Sequence, residues 1–388
     1  MTRPPLHVPE LVLPPAAQPG MTLAQVDTPS LLLDLDAFER NLDRMQAHAA
    51  RAGVALRPHA KAHKCPAIAL AQVARGAVGV CCQKVSEALP FMRAGVSDIH
   101  VSNEIAGPAK ARMLATLARH ARLSVCVDAA QQVAVLAEAA SAAEARLTVL
   151  VEIDVGQRRC GVGDAEQALA LVDCIDRHPS LRFGGLQAYH GGAQHRRTRD
   201  ERREEARRAA EKTGKVLVRL QTAGVTCDVV TGGGTGSVEF DLASGVYTEV
   251  QPGSYVFMDG DYGRNEWADA FRFEQSLYID VEVMSVAAGD RVIVDAGLKS
   301  MAVDSGLPGI RHAPGDASGA ASALRYVAAN DEHGIIETDS GALPPLGTRL
   351  LLVPGHCDPT LNLYDEIIGF RGETVECVWA VAARGFSR

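Results

Sequence analysis

From Thr28 onward, short apolar runs alternate with stretches whose apolar positions recur every three or four residues. Runs at 30–35, 54–58, 79–82, 99–102, 123–127, 147–153, 183–188 and 227–231 read as strands. Most are continuous Val, Leu, Ile and Cys segments, the pattern of strands buried on both faces. Amphipathic stretches at 37–50, 84–94, 108–120, 131–143, 165–177 and 198–224 lie between them with the period of crossover helices. Such alternation favours parallel pairing, and eight strands predict an α/β fold of the (β/α)8 TIM-barrel type rather than an open sheet. After Trp267 the texture changes to short runs at 276–284, 291–294, 323–327, 334–337, 349–353, 366–369 and 374–381, separated by turn residues. That pattern predicts a mostly antiparallel C-terminal β domain. The expected organisation is a Pro-rich arm over 1–27, a barrel over 28–266 and the β domain over 267–388, with 312–319 a flexible loop by composition.

Length agrees with this division, because 388 residues exceed what one hydrophobic core usually serves. A net charge of -8 with no strongly basic stretch argues against a nucleic-acid partner. The Arg-rich run from Arg196 passes into Glu204 and Glu205 with mixed sign and reads as a solvated helix start. No apolar run approaches the roughly 20 residues that span a bilayer. No basic and apolar leader pattern opens the chain, so a cytoplasmic protein is expected. Nine cysteines without a CxxC pair suit a reducing compartment.

Three strings carry candidate chemistry. Arg57-Pro58-His59-Ala60-Lys61 follows a predicted strand, at the barrel end where active sites lie. Flanked by His59, His63 and Lys64, Lys61 could have its pKa lowered by like charge and desolvation and act as a Schiff-base amine; a solvated loop lysine is the alternative. Thr231-Gly232-Gly233-Gly234-Thr235-Gly236-Ser237 offers free backbone N–H groups and hydroxyls for a phosphate, or is simply a tight turn. Gln251-Pro252-Gly253-Ser254-Tyr255 could close the same cup. In Pro354-Gly355-His356-Cys357-Asp358, imidazole and carboxylate at i and i+2 of an extended segment would project together onto one divalent metal, with Cys357 facing away. Alternatively, His356 is a core histidine bonded to Asp358.

Taken together, these strings resemble the D-threonine aldolases, members of the alanine racemase-like (fold type III) pyridoxal-phosphate enzymes. The resemblance runs from Thr28-Pro29-Ser30-Leu31 to Ala383-Arg384-Gly385-Phe386 and includes Val80-Cys81-Cys82-Gln83-Lys84, Arg159-Cys160-Gly161-Val162 and Gln187-Ala188-Tyr189-His190-Gly191. It implies Lys61 as the lysine that carries pyridoxal 5'-phosphate. Gln83, Arg159, Tyr189, Thr235, Gly236, Gly253, Ser254 and Tyr262 would be the cofactor contacts. His356 and Asp358 would be the ligands of a divalent metal, Mn²⁺ or Mg²⁺, and His195 would lie near the substrate hydroxyl. The implied activity is cleavage of small D-3-hydroxy-amino acids, such as D-threonine, to glycine and an aldehyde by a homodimer. The base at the 3-hydroxyl would be His195 or a metal-bound hydroxide. A 3-hydroxy-D-aspartate aldolase is the nearest alternative, with Arg264 or Arg158 as possible readers of the extra carboxylate. Related dehydratases pair the metal histidine with cysteine two residues later; Asp358 at that position favours the aldolase.

Overall fold

The computed structural model describes residues 14–312, 323–339 and 342–388. Residues 1–13 of the expected arm and nearly all of the expected 312–319 loop lie outside them.

Eight parallel strands run in the order Ala55–Leu56, Glu249–Val250, Val229–Gly232, Leu181–Ala188, Leu147–Glu152, Arg122–Val127, Asp98–Glu104 and Val80–Cys82. The two ends of this row meet: His59 bridges Cys81 in parallel, and the Val78 and Cys81 N–H groups donate to the Leu56 and Pro58 carbonyls at 2.9 and 2.8 Å. The sheet therefore curls into a TIM-type barrel, as expected. Its helices include Leu35–Ala52, Pro108–Ala118, Ala130–Ala142, Ala165–Asp176 and Arg199–Thr222. Asp34, Asp164 and Thr198 cap three of them through side-chain oxygens, which satisfies backbone donors that a helix start leaves open.

One of the eight strands expected in the barrel lies elsewhere. Ser30–Asp34 is not a barrel strand; it pairs antiparallel with Leu277–Ser285 and parallel with Glu366–Arg371 in the second sheet. Glu249–Val250 takes the eighth barrel place instead. Lys61 consequently follows the first barrel strand, and the triple-glycine turn follows the seventh.

Among the described residues the second sheet has nine strands, and apart from that one parallel pair its neighbours are antiparallel. The arm lies along its edge, where the Gly20 and Leu23 N–H groups donate to the carbonyls of Val375 and Glu373, both at 2.8 Å. Two ties bring this sheet's trailing segment back to the barrel mouth. The Ala383 N–H donates to Lys64 at 3.0 Å, and the Ser86 N–H donates to the Arg388 carbonyl at 3.1 Å.

Between the barrel strands and the helices around them, apolar side chains such as Val80, Val101, Val125 and Val149 are fully buried. A polar ladder crosses the interior beneath the mouth. Gln251 donates to Gln187 and Thr231, Thr231 donates to Glu249 (all 2.8 Å), and Arg57 donates to Glu249 at 2.9 Å and to Asp98 at 2.7 Å. Burial works against the Arg57 charge, but Glu249 and Asp98 outweigh it and raise its pKa. Each buried polar atom in this run has a partner, so the ladder is a rigid floor rather than a liability.

Candidate active site

A cavity of about 460 Å³ opens above that floor, at the C-terminal ends of the barrel strands. This is the end where barrel enzymes place their sites, and the volume suits a small ligand. His59, Lys61, Gln83, Arg159, Tyr189, His195, Thr235, Gly253, Ser254, Tyr262, His356 and Asp358 all line it. Of the cofactor, metal and base positions that the resemblance implies, Gly236 is the one outside this lining. Its N–H donates to Gln194 Oε1 at 2.8 Å, and a Cβ there would lie 2.4 Å from the Gln194 carbonyl. Its glycine is thus required by packing beneath the cup.

Lys61 sits on a short 3-10 turn, Ala60–Ala62, directly after its strand. Its N–H donates to His59 Nδ1 at 3.4 Å, and the other ring nitrogen of His59 pairs with Ser102 Oγ at 2.9 Å. The Nζ reaches Asp358 Oδ2 at 3.2 Å across 297 residues of sequence, and Ser254 Oγ holds the second carboxylate oxygen at 3.3 Å. Asp358 raises the Lys61 pKa against the opposing effect of burial, so the lowered pKa expected from sequence is not what the fold provides. The neighbouring histidines carry little positive charge, and that of Lys64 is paired. Burial lowers His59 well below the usual histidine range and His63 to about 4, while Lys64 is paired with Glu87 at 3.2 Å. Burial also disfavours the charged form of Asp358, but Lys61 and His356 hold its pKa down at about 2.

His356 and Asp358 share the cavity for a different reason from the extended strand expected. His356 is extended (φ -143°, ψ 118°) and precedes a helix, Cys357–Leu361, whose first turn carries Asp358. Cys357 is fully buried, and its N–H donates to Asp259 Oδ2 at 2.9 Å. His356 Nδ1 lies 2.7 Å from Asp304 Oδ2.

In the same cavity, His195 Nδ1 lies 2.5 Å from Asp261 Oδ2. Arg197 and Arg264 grip the same carboxylate from its other oxygen at 2.5 and 2.9 Å. Burial pushes the Asp261 pKa up, but these partners reverse that and leave it lowered. The loop bearing Asp261 is also stitched to the His356 segment: the Gly260 N–H donates to Pro354 at 2.9 Å and the Asp261 N–H to Gly355 at 3.1 Å. Tyr262 and Tyr189 are kept as neutral phenols by burial, and the Arg159 guanidinium lies 5.7 Å over the Tyr189 ring.

The donor set fits an anionic ring cofactor and a cation. Among the described residues no hydrogen bond occupies the N–H groups of Thr235, Gly253 or Ser254, and all three residues line the cavity, two of them carrying hydroxyls. A Cβ at Gly253 would meet His59 O at 3.0 Å and Ala62 Cβ at 3.3 Å, so bulk there would close the cup. A second acidic group, Glu104, Asp128 and Cys160, brings three possible metal ligands together elsewhere at the mouth. Asp128 is already engaged there, accepting from Gly161 at 3.0 Å and Gln132 at 2.8 Å.

Asp261, Asp304 and Gln194 had no part in the sequence reading of the site. Their roles come from partners 66, 52 and 42 residues away, and no local motif marks them.

The alanine racemase N-terminal domain family matches residues 33–261, and the putative serine dehydratase domain family matches 276–370. A D-threonine aldolase of Arthrobacter sp. is 56% identical over 379 residues, covering 97% of this chain and 98% of that protein. A 3-hydroxy-D-aspartate aldolase of Paracoccus denitrificans is 42% identical, covering 95% of each. The crystal structure of D-threonine aldolase from Filomicrobium marinum superposes with a TM-score of 0.91 at 47% identity, covering 96% of this chain and all of that one. With one domain family spanning more than half its length and a relative this similar from end to end, the chain belongs to the D-threonine aldolase family of alanine racemase-like enzymes.

Proposed function

We propose that this enzyme is a carbon–carbon lyase that cleaves D-3-hydroxy-amino acids of the D-threonine type to glycine and an aldehyde, using pyridoxal phosphate and a divalent metal such as Mn²⁺ or Mg²⁺. The observation that carries this reading is the 3.2 Å contact between Lys61 and Asp358. It places an amine able to hold the cofactor and a carboxylate able to hold a cation in one cavity. When bound, the cofactor supplies an electron sink at Cα and the metal supplies Lewis acidity toward the 3-hydroxyl.

The chain's own side chains do the rest. Thr235, Gly253 and Ser254 bind the phosphate. Gln83, Arg159, Tyr189 and Tyr262 bind and orient the ring from the walls. His356 and Asp358 are the metal ligands, and an N/O pair leaves positions open for substrate and water. Asp261 is ionised and can only accept, so it draws the His195 proton to Nδ1 and leaves Nε2 as the basic nitrogen. His195 thereby removes the proton from the 3-hydroxyl as the Cα–Cβ bond breaks.

The 56% identity to a D-threonine aldolase favours that substrate over 3-hydroxy-D-aspartate. So does the engagement of Arg264, which donates to Asp261 and to the Ser305 carbonyl at 2.9 Å each and does not line the cavity. Arg158 does not line it either. A homodimer agrees with the exposed apolar side chains of Leu298, Leu307 and Leu363. Nine free cysteines agree with a reducing cytoplasm, and no described helix is long and apolar enough to cross a membrane.

Product analysis tests the reaction. D-Threonine with added Mn²⁺ should yield glycine and acetaldehyde in equal amounts, at a higher kcat/KM than 3-hydroxy-D-aspartate. A 2-oxo acid and ammonia in their place would make the enzyme a dehydratase.

A further inference from the structure

We propose that Asp304 is a positioning residue for the metal site: it fixes the tautomer and ring orientation of His356 so that Nε2 faces the cation. The inference rests on the reading of His356 as a metal ligand. A carboxylate can only accept a hydrogen bond, so the 2.7 Å contact makes Nδ1 the protonated nitrogen. Among the described residues no hydrogen bond occupies Nε2, which leaves it as the nitrogen with a free lone pair. Histidines that bind metals are commonly held this way, and the outer carboxylate both aims the ring and raises its basicity. Asp304 is not itself a ligand in this arrangement, because its carboxylate lies on the Nδ1 side of the ring, opposite the nitrogen that would bind.

The loop carrying Asp304 is registered against the ligand helix at several points. The Ala302 N–H donates to Thr360 Oγ1 at 3.1 Å, and Thr360 is fully buried in the helix that bears Asp358. Arg264 holds the Ser305 carbonyl at 2.9 Å, and Ser305 Oγ donates to Asp304 Oδ2 at 3.3 Å. Gly355 packs directly on this loop: a Cβ there would lie 2.1 Å from the Gly306 carbonyl oxygen. The glycine before the metal histidine thus lets the Asp304 loop approach closely enough to reach the ring. Asp304 remains 55% exposed along its side chain, so its removal costs little folding stability and its effect should fall on the ligand it aims.

The test is calorimetric titration of Mn²⁺ into the pyridoxal-phosphate-loaded enzyme and its His356→Ala, Asp304→Ala and Asp304→Asn variants, with melting temperature and the visible cofactor band followed in parallel. His356→Ala should weaken Mn²⁺ binding by more than about 100-fold, and Asp304→Ala by roughly 10–100-fold. Asp304→Asn should lose less, because its amide oxygen still accepts from Nδ1. Melting temperature and the cofactor band should stay at wild-type values in the Asp304 variants. If His356→Ala binds Mn²⁺ like the wild type, the metal-site reading fails and the proposal goes with it. If His356→Ala loses binding while Asp304→Ala and Asp304→Asn bind like the wild type, the site stands and the role of Asp304 is overturned. Should Asp304→Ala not fold, the Asn variant alone decides: wild-type affinity overturns the proposal, and a several-fold loss supports it.

Discussion

Lys61→Ala abolishes the visible absorbance of the lysine-bound cofactor and lowers kcat by at least about 10³-fold, while leaving Mn²⁺ binding largely intact. The expectation follows from geometry. Lys61 is the amine that the 3-10 turn aims into the cavity, and the other lysine beside the barrel mouth in that string, Lys64, is buried against Glu87. The loss is not one of folding. The Lys61 side chain lines the cavity and is 42% exposed there, so truncating it leaves no packing void in the core. Absorbance spectra and steady-state kinetics of the purified variant check this; a surviving visible band would place the covalent attachment elsewhere.

Asp358→Ala should give the mirror result. The cofactor band persists, because the amine is intact, while Mn²⁺ affinity falls by more than about 100-fold and turnover falls with it. The variant also releases Lys61 from the partner that raises its pKa. The crossed pattern is the informative feature: one substitution removes the cofactor signature and spares the metal, and the other does the reverse. Binding calorimetry and absorbance on the same two proteins measure it. Retention of wild-type Mn²⁺ affinity in Asp358→Ala would remove this carboxylate from the metal site.

Much of this was legible in the sequence where chemistry is local. Lys61 lies at a strand end, and the triple-glycine turn follows another, so barrel geometry alone brings them to one mouth. His356 and Asp358 stand out by residue type, and the fold sets both in the cavity, although the segment is a helix start rather than a strand. What the sequence hid was pairing at a distance. The run at 30–34 is apolar enough for either sheet, and its place beside Leu277–Ser285 and Glu366–Arg371 is settled by tertiary packing. Glu249–Val250 is too short to give a periodic signal. Residues 59–64 by themselves point to a lowered Lys61 pKa, whereas the decisive partner is Asp358, which raises it. Asp261 and Asp304 look like ordinary polar loop residues until the fold sets a histidine against each.

Anomalous diffraction from Mn²⁺-soaked crystals of the pyridoxal-phosphate-loaded enzyme tests most directly whether amine and cation meet in one cavity. The account predicts a Mn²⁺ peak within about 2.3 Å of His356 Nε2 and an Asp358 oxygen, beside continuous density joining Lys61 to the cofactor. A peak at Glu104, Asp128 and Cys160 with none at His356 would contradict it.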